Sequence, residues 1–247
     1  METYSLLLKT LDQSIDRAAL EDASDAVRSI ARADCPRMLR EKSGILVSGL
    51  EREEALAFQA ALNGHQFPTT IVNDEHLPLL HESFQIQRID SREQALVLTD
   101  SMGRERVKPL DELVFLAAGF IGRIEFKSET LLKMIGGGGR SSPHFYTERE
   151  THEETDIEFR LDFFFTGPPH RLHALLGRES AIFHQGRPIR LKDRPAVDGL
   201  LAAMGRVLPP ERLNSVLREP ATALTYPNLH CYEKEIRWHF HRLAAEG

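Results

Sequence analysis

The longest run of alternating apolar and polar positions lies between Glu154 and Thr166. Ile157, Phe159, Leu161, Phe163 and Phe165 fall on one side of an extended backbone and Glu158, Arg160 and Asp162 on the other, which predicts a half-buried strand. Burying five such side chains contributes about 1.5 to 3 kcal/mol each, so this strand is expected to be a wall of the core and not a reaction centre. Gly167, Pro168 and Pro169 break the alternation and Arg171 to Leu176 resumes it, as a hairpin with a proline-stiffened turn would.

Toward the N-terminus the period changes. Tyr4 to Lys9 places Tyr4, Leu6 and Leu8 on one face and predicts a strand, while Leu7 leaves an amphipathic helical start open. Ala18, Ala19, Ala23, Ala26, Val27, Ile30 and Ala31 recur at helical spacing from Asp16 onward, with Asp34 to Pro36 as the expected stop. Met38 to Glu41 and Ile45 to Ser48 flank Lys42, Ser43 and Gly44, the pattern of a short hairpin. A helix is predicted over Glu51 to Leu62, with Glu51, Glu53 and Glu54 in the first turn, where the macrodipole favours them. Its expected buried stripe is Ala55, Leu56, Phe58, Ala61 and Leu62; Asn63 and Gly64 end it, and Phe67 to Asn73 returns as a strand. With a strand at Tyr4 to Lys9 the order is β-α-β-β-α-β, which resembles the ferredoxin-like split βαβ arrangement over residues 1–76. That resemblance implies a regulatory, metal-carrying, wall-binding or dimerisation module. Thr10 to Ser14 lacks the paired-cysteine loop of the metal-carrying version.

Asn73 to Ser83 holds Pro78 and several charged or histidine side chains without periodicity, and the expected domain boundary falls there. Beyond it, from residue 84 to 247, the texture is mainly of strands: Phe84 and Ile86 alternate with Gln85 and Gln87, and Ala95 to Thr99, Arg106 to Lys108 and Leu113 to Gly122 follow. The succession ALVLTDSMGRERVKPLDELVFLAAG is similar to the early strands of bacterial pleckstrin-homology-like domains. The resemblance implies a partly open barrel, completed by the hairpin from Glu154 and closed by a helix over Pro195 to Val207. Where lipid-binding members gather basic residues this chain has Ser91, Arg92, Glu93 and Gln94, so phosphoinositide recruitment is not expected. Gly136 to Gly139 centre a flexible insertion near 127–152. A helix-like stretch runs from Glu211 to Arg218, and Tyr232, Ile236, Phe240 and Leu243 mark a terminal amphipathic helix docked on the second domain. The expected fold class is α+β: a ferredoxin-like βαββαβ sandwich, then a pleckstrin-homology-like barrel with C-terminal helices.

Composition narrows the class of function. The chain of 247 residues is 41% hydrophobic and 28% charged, ordinary for a globular protein and long enough for two domains. A net charge of -6 argues against general nucleic-acid binding. The longest apolar run, Leu113 to Gly122, is about half of what a spanning helix needs, so no membrane insertion is expected. Cys35 and Cys231 belong to no C-x-x-C pair and Met1 to Lys9 has no secretory character, so a cytoplasmic location is expected.

The candidate chemistry is thin. The four-glycine run lacks the lysine and Ser/Thr of a phosphate loop. Of eleven histidines, His170 with His173 and His239 with His241 have spacings that diverge, and a zinc site would need His230 and Cys231 to meet a hairpin histidine in space. The acids between Glu148 and Glu158 lack calcium-loop spacing and read as a solvated lead-in or a strip for a cationic partner. No G-x-S-x-G elbow occurs, Cys35 reads as a structural thiol, and Trp238 as a residue that docks the C-terminus. No catalytic, cofactor-binding or metal-ligating residue is singled out, and no cofactor is expected. The leading expectation is a non-catalytic protein that binds a protein partner or its own copy; the alternative is a regulatory module sensing a small molecule in an inter-domain cleft, and behind both stands a hydrolase without a recognisable motif.

Overall fold

The structure, a computed structural model, describes residues 2–41, 43–135, 144–220 and 225–246; within 124–155 and at 246 it describes backbone alone. The fold is mixed α and β. In the N-terminal part, strand β1 (Tyr4–Leu8), helices α1 (Arg17–Ser24) and α2 (Cys35–Arg40), strand β2 (Ile45–Leu50), helix α3 (Arg52–Gly64) and strand β3 (Thr69–Asn73) follow one another. The sheet order is β2-β1-β3, with β1 antiparallel to both neighbours. Strands β2 and β3 therefore run parallel on either side of β1, joined across it by α3. One face buries Leu6 and Leu8 against Leu20, Phe58 and Leu62 of the helices; the other presents Leu7, Ile45 and Val72.

Two expectations fail here for local reasons. Pro36 does not end a helix but opens one: it occupies the first turn of α2, where its missing N–H is unpaired anyway. Met38 to Arg40 are consequently helical, the expected hairpin is absent, and the three strands do not make the four-stranded ferredoxin-like sheet. The alanine-rich helix stops at Ser24, whose hydroxyl donates to the Glu21 carbonyl at 2.7 Å and competes with the helical ladder. Val27 and Ile30 still reach the core, from a loop. Helix α3 forms as the periodicity predicts, except that Leu56 is 51% exposed.

The rest of the chain forms two five-stranded sheets and, among the described residues, no closed barrel. Its strands are β4 (Phe84–Ile86), β5 (Arg88–Arg92), β6 (Ala95–Thr99), β7 (Glu105–Pro109), β8 (Leu113–Ile135), β9 (His144–Phe165), β10 (Arg171–Leu176), β11 (Ala181–His184) and β12 (Arg187–Arg190). Helices α4 (Arg194–Met204) and α5 (Ser215–Arg218), the short β13 (Thr225–Tyr226) and helix α6 (Leu229–Glu246) complete it. One sheet is ordered β13-β8-β9-β10-β4 and the other β12-β11-β5-β6-β7, so the chain changes sheets at Gln87, between β4 and β5. Phe159, Leu161, Phe163, Leu172 and Leu176 share one core with Ile86, Leu98 and Ile182. The wall predicted from Glu154 to Thr166 forms from Phe159 to Phe165, while Ile157, expected in its buried row, is exposed, and the hairpin through Pro168 and Pro169 sets Arg171 opposite Phe164.

Strands β8 and β9 stay paired from Leu113 opposite Phe165 out to Ile135 opposite His144. Strand β10 flanks β9 only as far as Phe159, and β13 meets β8 only at Phe120 and Ile121. Beyond these points the pair continues as a two-stranded ribbon. The segment near 127–152, read from its glycines as a flexible insertion, is strand wherever it is described, and Gly136 to Gly139 lie outside the described residues.

Helix α6 packs on more than the second unit. Tyr232, Ile236, Phe240 and Leu243 face the β8–β9 sheet as the periodicity predicts. On another side Trp238 enters the N-terminal unit, is 2% exposed among Leu7, Ile45, Val72 and Leu77, and donates through Nε1 to the Leu8 carbonyl at 2.7 Å. Gly44 makes this approach possible: its φ of +85° suits glycine, and a Cβ there would lie 2.4 Å from the indole. Among the described residues no helix is long and apolar enough to cross a membrane.

Candidate functional site

The outer face of β9, expected to meet solvent, lies under α6. Burial opposes the charge of Asp162, but Arg160 and Arg171 outweigh it and hold its pKa below the ordinary carboxylate value. Arg160 donates to Asp162 through Nε at 2.7 Å and Arg171 does the same at 2.7 Å. The Tyr232 hydroxyl lies 2.9 Å from Asp162 Oδ2 and 3.0 Å from the Ala117 carbonyl. Arg171 continues to Glu233 at 2.9 Å and Arg160 to Ser83 at 3.0 Å, so two arginines and two acids tie the hairpin, the 77–83 segment and α6 together. Such a set is costly to open and chemically quiet, because every carboxylate is matched by a guanidinium.

A second polar cluster forms where α5 meets α6. The Asn214 side chain pairs with the edge of β8 as a strand residue would, accepting from the Ala118 N–H at 3.0 Å and donating to its carbonyl at 2.7 Å. This sets Ser215 over Glu235, whose Oε1 accepts from the Ser215 hydroxyl at 2.5 Å and from its N–H at 3.0 Å. Oε2 accepts from Tyr226 at 2.7 Å. Burial opposes ionisation of Glu235, yet hydrogen bonds from His239, Ser215 and Tyr226 prevail and lower its pKa. Burial lowers the pKa of His239, against the pull of Glu235, so the ring is neutral; its Nε2 lies 3.5 Å from both Glu235 Oε1 and Arg218 Nη2.

Serine, glutamate and histidine meet here without the contacts of a nucleophile relay. The Ser215 proton is held by Glu235, and the Arg218 charge beside His239 works against proton uptake by the ring.

This cluster is the floor of a cleft of about 710 Å³ between the two units. The N-terminal unit contributes Thr10, Asp12, Arg40 and Ser43; the larger one contributes Ser215, Arg218, Trp238 and Arg242. The Arg242 guanidinium lies over the Trp238 ring, 5.0 Å from its centroid. The size falls within the roughly 300 to 1,000 Å³ of ordinary small-molecule sites, and the wall chemistry is mixed: hydroxyls, guanidinium groups and one indole edge. A second hollow of about 420 Å³ beside Lys108 and Pro168 is more open, and its lysine is used by the Gly167 and Pro168 carbonyls at 3.1 and 3.0 Å.

Of the residues weighed from sequence, Trp238 docks the C-terminus as expected, and Cys35 is a buried free thiol. Cys231 is buried while His230 on the next position is exposed, and among the described residues no three His, Cys, Asp or Glu side chains gather as a metal ion would need. His170 stacks on His81 with centroids 4.5 Å apart. The acidic run has its backbone in β9, and its side chains from 148 to 155 lie outside the description. Apart from Trp238, the residues that build the cleft and its floor carry no signal in the sequence, since they come from four separate segments. The Asp162 cluster did leave a trace: opposite charges two apart on one face of the most apolar strand. The chain matches no family model, no curated protein and no solved structure.

Proposed function

We propose that the protein is a two-unit regulatory module that takes a small molecule in the cleft between its N-terminal unit and helix α6. The observation that supports this reading is the position of the cleft: both units line it, and its floor is helix α6, which packs in the core of the larger unit and, through Trp238, against the N-terminal sheet. A ligand there contacts Thr10 to Asp12 and the end of α2 on one wall and α5 and α6 on the other, so its binding energy acts on how the units meet. The test is a thermal-shift screen of the full chain against metabolites. A ligand at 100 times its Kd adds about 2.7 kcal/mol and raises the melting temperature by a few degrees; a screen in which no compound moves the transition contradicts the reading.

A second reading, binding of a protein partner or of a second copy, rests on a separate observation. Among the described residues, no third strand pairs with the β8–β9 ribbon beyond Gly122 and Ile157, which leaves both its backbone edges open there. Light scattering distinguishes the readings: self-association through the ribbon is lost when residues 127–152 are replaced by a two-residue turn, whereas ligand binding in the cleft is unaffected. A hydrolase ranks below both, because the Ser215 proton is directed to Glu235 and not to His239.

A further inference from the structure

The cleft has a chemical preference, and this inference rests on the small-molecule reading above. We propose that its ligand carries an anionic oxygen group, a phosphate or a carboxylate, gripped between Arg40 of the N-terminal unit and Arg218 of α5. Both arginines line the same cleft, one from each unit. Among the described residues neither enters an ion pair, and the contact of Arg218 is with the neutral His239 ring at 3.5 Å. A guanidinium presents a planar fork of donors that matches two oxygens of one anion, which a lysine in the same place would not.

The acids of the cleft do not cancel this. Glu235 has its oxygens taken by Ser215 and Tyr226 and faces the floor. Glu219 has a partner of its own, and Asp12 is exposed. Ser215 is likewise committed to Glu235 and the buried Ser43 hydroxyl donates to the Glu41 carbonyl at 3.4 Å, while the exposed Thr10 stands on the N-terminal wall for the uncharged part of the ligand. Arg242, over the Trp238 ring, lines the same cleft, so a ligand reaching it disturbs the indole. Trp238 is the only tryptophan, and its emission reports the cleft directly.

Isothermal titration of the full chain at constant ionic strength, with Trp238 emission followed in parallel, uses four probes: inorganic phosphate, citrate, adenosine monophosphate and uncharged adenosine. The expected result is saturable binding of at least one anion with a change in emission, weakened about tenfold or more by Arg40→Gln and by Arg218→Gln. Both side chains are exposed, so the unliganded melting temperature of each variant stays close to that of the parent protein. Binding of phosphate and adenosine monophosphate but not citrate assigns a phosphate ligand; the reverse assigns a carboxylate. Anion binding that ignores both substitutions overturns the proposal, as does silence toward all three anions. Adenosine binding unchanged in both variants overturns the anion preference alone and leaves the small-molecule reading standing.

Discussion

At the scale of single residues, the decisive feature is how completely the buried charges are matched. Asp162 sits among Arg160, Arg171 and Tyr232 with no exposed surface. Removing one partner of such a set leaves the others charged and dry, which costs more than the set contributes when whole. Asp162→Asn is therefore expected to destabilise by about 3 to 5 kcal/mol in denaturant unfolding, and Tyr232→Phe, which removes one hydroxyl, by about 1 to 3 kcal/mol. His173 lies opposite Asp162 on β10 with its Nδ1 buried and unpartnered; burial, then the nearby Arg160, pushes its pKa down to about 4. The unfolded chain then takes up this proton first as pH falls. Its share of stability is complete above about 6.5 and declines as pH drops toward about 4. Burial lowers His184, His230 and His239 in the same sense, whereas the hydrogen bonds and charges around Asp162 and Glu235 hold those carboxyls below their ordinary values, so their loss of charge belongs to more acidic pH than that of a free carboxylate. Melting temperatures measured from pH 7.5 to 4 should fall below about 6.5, with a shallower fall in His173→Gln; a flat profile contradicts the assignment.

At the scale of elements, α6 is the strut on which the two units meet. Trp238 fills the N-terminal sheet from outside, and Gly44 yields it room. Gly44→Ala adds both a strained φ and a clash, for an expected loss of about 2 to 4 kcal/mol. Trp238→Ala is expected to cost about 3 to 5 kcal/mol and to split calorimetric unfolding into two transitions, since the small core between sheet and helix disappears. A single transition in that variant means that the units are joined by something other than the indole. These elements also show what the sequence carries by itself. Strand β9, helix α3 and the stripe of α6 announce themselves because one face of each meets one apolar surface, and the period survives. Helix α2 stays hidden because proline at a helix start and proline at a helix end read alike until the neighbouring strand is known. The outer face of β9 misleads for a different reason: Arg160 and Asp162 are polar but buried and satisfied by one another, so polarity there does not mean exposure.

At the scale of the whole molecule, the layers run from the β6 sheet through the β8–β9 sheet and α6 to the N-terminal sheet and its helices. The cleft arises where the last two bodies fail to close, over the polar floor at Glu235. Its walls come from four segments far apart in the chain, none with a motif of its own, so nothing in the local sequence marks it. The terminal helix is legible in the sequence, and a cleft between two units is what the expected domain boundary at Asn73 to Ser83 would imply. The measurement that bears most directly on the account is the emission of Trp238 in full-length protein titrated with a fractionated pool of cellular small molecules. At least one fraction is expected to change the spectrum saturably, dialysis to restore it, and Arg218→Gln to weaken the response. An emission spectrum unmoved by every fraction would contradict the small-molecule reading.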